Sequence, residues 1–310
     1  MDAPSSDLFG TEEVVVLPEF LPVDCPRETR NRPTDMSEIN DAQHEDDVFN
    51  APGRPSSHRV PWHSLIGRFS ATVVTLLVGR PIVRSWLHSG LRLAEGDDSQ
   101  PHLMHLYIGR QESVSPALFG QPIRFPFCYD YPEIIAAVPD LEVQSHSLPI
   151  LQKPVTYLAH LFLGAWGPTV LGRGIYLINK SFARIEMVDG GVRALTRHGR
   201  RLLDAHITPV PLAPVIPLHE GLRRNPTCYL SQPLVVGRRG KLKLARMEFV
   251  DPVVELAPVH VSLDMAAGFV SWMPEIRCDV PGIHEVDSGA FQFQSDWRLT
   301  AATCADGSRT

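Results

Sequence analysis

The 310-residue sequence predicts a β-rich α+β body behind an acidic N-terminal arm. Three observations carry this expectation: short β-branched runs separated by Gly, Pro and Asp punctuation, no βαβ alternation, and a sharp split in charge along the chain. Residues 1–52 hold 13 acidic residues against three arginines, a net of −10, whereas the other 258 carry 22 acids and 26 bases, a net of +4. With 44% hydrophobic residues, the body has ample material for a core.

The arm comes first. Residues 1–60 are rich in Pro, Ser, Asp and Asn and include the tract His44-Glu45-Asp46-Asp47. Such a composition buries too little apolar surface to offset its ordering entropy, so a disordered extension is expected. Glu13–Leu21 is the exception and reads as an edge strand or a segment that docks on the body. Pro52, Pro55 and Pro61 mark the boundary, and residues 61–310 form the second part, a single domain.

Within that domain Phe69–Val78 is β-branched and weakly alternating, which predicts a strand. Pro81 then suits the first turn of a helix, with Ile82, Val83, Trp86 and Leu87 at helical spacing and Gly90 as the stop. Leu103–Ile108 is the next strand. Ala183–Val188, the turn Asp189-Gly190-Gly191, Val192–Thr196, a turn at Gly199 and Leu202–Ile207 read as a meander. Met247–Leu256, Val259–Leu263, Phe269–Met273 and Ala290–Leu299 add further strands. The Pro-rich stretch from Pro209 to Pro217 reads as a connection.

The same arithmetic excludes several classes. A weakly positive body with an acidic arm is not the footprint of a nucleic-acid binder. The longest apolar runs, Ala71–Val78 and Tyr157–Trp166, fall short of the roughly 20 residues that span a bilayer, so no membrane partner is expected. The N-terminus has no signal-peptide pattern. Five dispersed cysteines without a CxxC pair fit a reducing cytoplasm rather than a disulfide framework or zinc site. His102 and His105 form an HxxH pair, but strand spacing puts them on opposite faces, which argues against a metal site.

Lysine usage is more informative. Of 29 basic residues only Lys153, Lys180, Lys241 and Lys243 are lysines. Lys153 sits beside Pro154 in a loop-like stretch, and Lys241 and Lys243 belong to a basic tract that reads as a solvated turn. Lys180 alone has nearly apolar flanks, in Gly174-Ile175-Tyr176-Leu177-Ile178-Asn179-Lys180-Ser181-Phe182-Ala183. Two outcomes are open from local sequence: the ammonium snorkels to the surface, or it is buried and its pKa falls. A buried neutral amine can condense with a carbonyl to give a Schiff base, whose iminium draws electrons from the adjacent bond.

The stretch Leu171-Gly172-Arg173-Gly174-Ile175-Tyr176-Leu177-Ile178-Asn179-Lys180-Ser181-Phe182-Ala183-Arg184-Ile185 resembles the acetoacetate decarboxylase family's "GR-x-x-x-G-[FY]-[PN]-K-x-[LF]-A-x-I" element. Four further segments resemble family elements in the same order. They are Val83–Leu93, Pro101–Gln111 ending near "G-x-Q", Tyr131–Pro139 against "Y-N-E-x-x-x-x-x-P", and Ile283–Ala290 followed by Asp296–Leu299. The resemblance runs from about Ser70 to Thr300.

What the resemblance implies is a cone-like, largely antiparallel β-barrel with a few short helices, usually oligomeric. Its apolar interior would hold Lys180 as the Schiff-base nucleophile. Glu133 would face Lys180 and position substrate or move a proton; read without the resemblance, it is an exposed acid or a helix N-terminal one. Tyr131, Tyr176 and Arg80 would contact a small-molecule carbonyl substrate. The implied activity is a lyase for keto acids or related hydrophobic carbonyl compounds, acting by decarboxylation or by aldol or dehydration chemistry, with no organic cofactor or metal required. A non-catalytic small-molecule-binding barrel or scaffold of the same fold is the alternative.

Three departures accompany the resemblance. Ser181 stands where the family often has a second lysine, and Leu177 where it has a small glycine. Leu76-Leu77-Val78-Gly79 replaces a "Y-R-T-D" run whose arginine holds the substrate carboxylate, leaving Arg80 as the nearest basic side chain.

Overall fold

Both faces of the first long strand are buried, and this accounts for its weak alternation. In the computed structural model β1 (Ser64–Gly79) turns Phe69, Ala71 and Val73 into one apolar cluster and Val74, Leu76 and Val78 into another. A strand covered on both sides reads as a continuous apolar run. The structure describes residues 64–118, 121–123, 129–144, 154–175, 178–211, 216–217, 233–238, 241–249, 255–269, 273–281 and 289–301. The expected acidic arm and the strand Glu13–Leu21 lie outside these residues.

After β1 the chain forms α1 (Arg80–Trp86), with Pro81 in its first turn as expected. The helix stops before Gly90: Leu87 is already extended, and its N–H returns to the Arg84 carbonyl. Then follow β2 (Leu91–Leu93), β3 (Pro101–Leu118), β4 (Gln121–Pro122), β5 (Tyr129–Val143) and β6 (Val155–Leu163). Next is α2 (Trp166–Ile175), which the sequence reading missed. Gly167, Pro168, Gly172 and Gly174 lower its helix propensity, and tertiary contacts outweigh that cost.

The expected meander is present as β7 (Lys180–Val188), β8 (Gly191–Thr196) and β9 (Arg201–Pro209). Its two turns place Gly190 at φ +71° and Gly199 at φ +79°. The rest are β10 (Ile216–Pro217), β11 (Leu234–Arg238), β12 (Lys241–Phe249), β13 (Glu255–Met265), β14 (Ile276–Val280) and β15 (Ala290–Ala301). The strand expected over Phe269–Met273 is not one at its described ends. There the chain reverses, with the Phe269 N–H on the Ala266 carbonyl, the Gly268 N–H on the Met273 carbonyl, and Gly268 at φ +74°. Lys241 and Lys243 belong to β12 rather than to a turn.

Pairing closes a circuit of nine strands, β1-β3-β5-β6-β7-β8-β9-β13-β15 and back to β1. Strands β11 and β12 make a second path from β6 to β15. All these pairings are antiparallel except β6 with β7 and β6 with β11, so the barrel is mixed. One apolar cluster gathers Phe69, Tyr107, Ile135, Leu161, Ile178, Phe291, Phe293 and Trp297. The other gathers Leu106, Ile134, Phe162, Ala183, Leu203 and Val261. No helix among the described residues is long and apolar enough to cross a membrane.

One irregularity matters for the site. Pairing of β3 slips between Gln111 and Val114 against β5, and pairing of β1 with β3 slips at the same level, between Ile66 and Arg68. Ser113 in this bulge is left-handed at φ +52°, and its N–H is held by Asp130 Oδ1 at 2.7 Å. Bulges of this kind re-aim the side chains beside them.

Candidate active site

Lys180 opens β7 and is buried. Its register partner in β6 is Leu161, and Ile178 precedes it by two residues; both belong to the first apolar cluster. Two hydrogen bonds tie this strand start to α2. The Arg173 Nε–H donates to the Lys180 carbonyl at 2.6 Å, and the Ile178 N–H donates to the Gly172 carbonyl at 3.3 Å. Gly172 lies directly against the lysine side chain. A Cβ there would stand 2.5 Å from Cε and 2.7 Å from Nζ, so only glycine leaves the amine its place.

Glu133 lies on β5, two strands from Lys180 with β6 between them. It is buried and pairs in register with Leu163 and Gly109. The reading of Glu133 as an exposed acid or a helix N-terminal one is therefore corrected: it is an interior strand residue. Burial lowers the pKa of Lys180, with the Glu133 charge opposing. Burial also raises the pKa of Glu133, with Lys180 and a hydrogen bond from Gln111 opposing. Both groups are thus pushed toward their neutral forms, as desolvation of a charge requires.

Two residues that the sequence reading did not single out complete the group. Gln111 is buried on β3, and its Nε2 donates to Glu133 Oε2 at 2.8 Å. The indole Nε1–H of Trp297, on β15, donates to Gln111 Oε1 at 2.9 Å. Strand β1 lies between β15 and β3, and the indole crosses it at Gly67, where a Cβ would stand 3.1 Å from Trp297 Cζ2. Gln111 was visible in the "G-x-Q" element, but its bond to Trp297 depends on a register that no local pattern carries.

The remaining expected site residues divide. Tyr131, two residues before Glu133 on the same side of β5, is buried, and its phenol pKa is raised by burial and then by the Glu133 charge. Arg80 is not brought to the pair. It opens α1 at the far end of β1, nine residues beyond Ala71, which sits in register with Gly109 and through it with Glu133. That is roughly 30 Å along the strand. There Arg80 donates to the Ala94 carbonyl and lies 3.8 Å from Asp98. Tyr176 and Leu177 lie outside the described residues. Ser181 is hydrogen-bonded to His160 Nε2 at 2.9 Å. Successive strand residues alternate in side, so a second cation at position 181 would not stand beside the Lys180 amine.

No protein-family model and no curated protein matches the chain by sequence. Solved structures do match it by fold. A Legionella pneumophila acetoacetate decarboxylase superposes with a TM-score of 0.51 at 11% identity, over 88% of this chain and 99% of that one. The fold is that of acetoacetate decarboxylase-like enzymes. An acetoacetate decarboxylase-like enzyme from Sphingomonas wittichii RW1 matches with a TM-score of 0.50 at 15% identity, over 83% of this chain and 98% of its own. So does the enduracididine biosynthesis enzyme MppR, at 0.50 and 16%, over 80% and 91% of the two chains. That structure holds the condensation product of pyruvate and imidazole 4-carboxaldehyde. In this chain the acetoacetate decarboxylase-like barrel brings a lysine, a glutamate and a tyrosine into one buried group, with Gln111 and Trp297 bonded behind them.

Proposed function

We propose that this chain is a carbon–carbon lyase that binds a keto acid or related hydrophobic carbonyl compound as a Schiff base on Lys180. The supporting observation is the placement of the Lys180 amine, buried against Gly172 and electrostatically coupled to Glu133. Together they hold one proton that sits on either partner at no change in net charge, as ammonium with carboxylate or as free amine with carboxylic acid. Burial favours the second form, which is the reactive one.

The steps follow from that form. The Lys180 lone pair adds to the carbonyl carbon, and a proton passes from nitrogen to the former carbonyl oxygen. Glu133 gives a second proton to that hydroxyl, which leaves as water, and the iminium faces the new carboxylate. In a 3-keto acid the iminium accepts the electrons of the bond to the carboxylate, releasing carbon dioxide and an enamine. In a 2-keto acid Glu133 instead takes the proton from the adjacent carbon, and the enamine attacks an aldehyde. The product bound to MppR is of the second kind, and the decarboxylases of this fold exemplify the first. Arg80 lies away from the pair and clamps the carboxylate of neither kind of keto acid, so both routes stay open in this reading. Tyr131 lines the carbonyl side in this reading.

Trapping with borohydride tests it. The protein is incubated with acetoacetate, with pyruvate, and with pyruvate plus an aromatic aldehyde, then reduced and mapped by mass spectrometry. One adduct per chain, on Lys180 and absent from Lys180→Ala, is expected. No adduct with any of these carbonyls would leave a non-catalytic binding barrel as the better account. Carbon dioxide release from acetoacetate, against condensation product from pyruvate and aldehyde, separates the two outcomes.

A further inference from the structure

Gln111 carries two chemically distinct ends, and its surroundings decide which end faces which neighbour. An indole nitrogen is a donor only, so the Gln111 atom 2.9 Å from Trp297 Nε1 must be the amide oxygen. The amide NH2 is thereby turned toward Glu133 Oε2 at 2.8 Å. A donor aimed at Oε2 favours a lone pair on that oxygen, so the acid proton of a neutral Glu133 belongs on Oε1. All three residues are buried, at 5%, 3% and 3% exposure for Trp297, Gln111 and Glu133, so water competes weakly for these bonds.

The backbone supports the same arrangement. The bulge at Glu112-Ser113 begins directly after Gln111 and is held by the Asp130 carboxylate on the Ser113 N–H. On the other side Gly67 leaves the space through which the indole passes over β1. Both devices flank the hydrogen-bonded series Trp297–Gln111–Glu133.

We propose that Trp297 and Gln111 are positioning residues acting in series: the indole N–H fixes the Gln111 amide, and the amide reserves Oε1 of Glu133 for the proton exchanged with Lys180 and substrate. This rests on the Schiff-base reading for its catalytic meaning, but the proton arrangement is testable without substrate. Among the described residues the groups facing Glu133 are Lys180 from β7, Gln111 from β3 and, on its own strand, Tyr131. Gln111 stabilises the Glu133 carboxylate, so its loss shifts the shared proton toward Glu133 and frees the amine at lower pH.

The chain has four lysines, so protein labelled with 13C-lysine gives at most four lysine Cε titrations, and Lys180→Ala identifies the one that matters. In Gln111→Met and in Trp297→Phe the Lys180 midpoint should fall, by about half a pH unit or more, and the double variant should shift no further than Gln111→Met alone. The rate of borohydride-trapped adduct formation with pyruvate should drop about tenfold in each single variant, again without further loss in the double. An unchanged midpoint in Trp297→Phe, or additive shifts in the double variant, overturns the series arrangement. If the midpoints behave as expected but wild type yields no adduct, the Schiff-base reading falls and the positioning relay stands. If the adduct forms and the midpoints do not move, the relay falls alone.

Discussion

The inner face of β3 carries two buried polar centres, and they differ in kind. At one end His105 sits fully buried, 3.2 Å from Thr75 Oγ1, with the Tyr107 ring beside it. Six residues on, roughly 20 Å along the strand, Gln111 joins Glu133 and, through it, Lys180. Burial acts on both ends alike. It pulls the His105 pKa down to about 3, which makes the ring a fixed neutral group near pH 7. At the other end it acts on an acid and a base together, which can trade one proton without creating net charge. Burial by itself yields an inert centre, whereas burial of a matched pair yields a centre that can do chemistry.

The largest expected effect breaks the reactive end. Glu133→Gln removes the counter-charge, so the Lys180 pKa falls further and more amine is free. If counter-charge were the only role of Glu133, adduct formation would quicken. We expect it to slow by about a hundredfold, the usual worth of a lost general acid, as read from stopped-flow trapping.

Gly172→Ala should come next. The added methyl collides with the lysine side chain, so the amine leaves its place. Adduct formation should fall more than about tenfold, and stability by about 1–3 kcal/mol in urea unfolding, the cost of overpacking. Retained trapping at the wild-type rate would show that the contact with α2 is incidental.

His105→Gln probes the inert end. The folded-state pKa of His105 is depressed from 6.5 to about 3, so between these values the unfolded chain binds a proton that the native chain does not. The contribution is therefore complete above pH 6.5 and is lost as the pH falls toward 3. Its slope approaches about 1.4 kcal/mol per pH unit. A glutamine at this position does not titrate, so the acid-side slope of stability should flatten by one proton, with adduct formation at pH 7 unchanged within about twofold. A change in trapping would mean that the two ends communicate.

The smallest effect belongs to a pair outside both ends. Arg92 and Glu142 form a half-exposed ion pair at 2.5 Å. Arg92→Ala should cost under about 1 kcal/mol and leave trapping untouched.

Much of this contrast was legible in the sequence, for identifiable reasons. Lys180 stood out because lysines are few and its flanks apolar, and the meander was marked by Gly190 and Gly199 at turns that need positive φ. Other parts had no local signature. In β5 the prolines at 132 and 139 mask a fifteen-residue strand. In α2 the glycines mask a helix. Arg80 looked close to the site because it follows β1, but nine residues separate it from Ala71, the position level with Glu133. Trp297 is 186 residues from Gln111, and only the order β15-β1-β3 brings them together.

The bulge at Ser113 has a further consequence. Before it, odd-numbered residues of β3 such as Tyr107 and Gln111 point inward; after it, Val114 does. One extra residue has changed the phase in which the strand is read. Flattening the bulge with all its residues kept would thus act as a frameshift in space: the side chains from Val114 to Ala117 would exchange inside for outside, although no letter of the sequence had changed, whereas deleting Ser113 would leave Val114 inward in a regular strand.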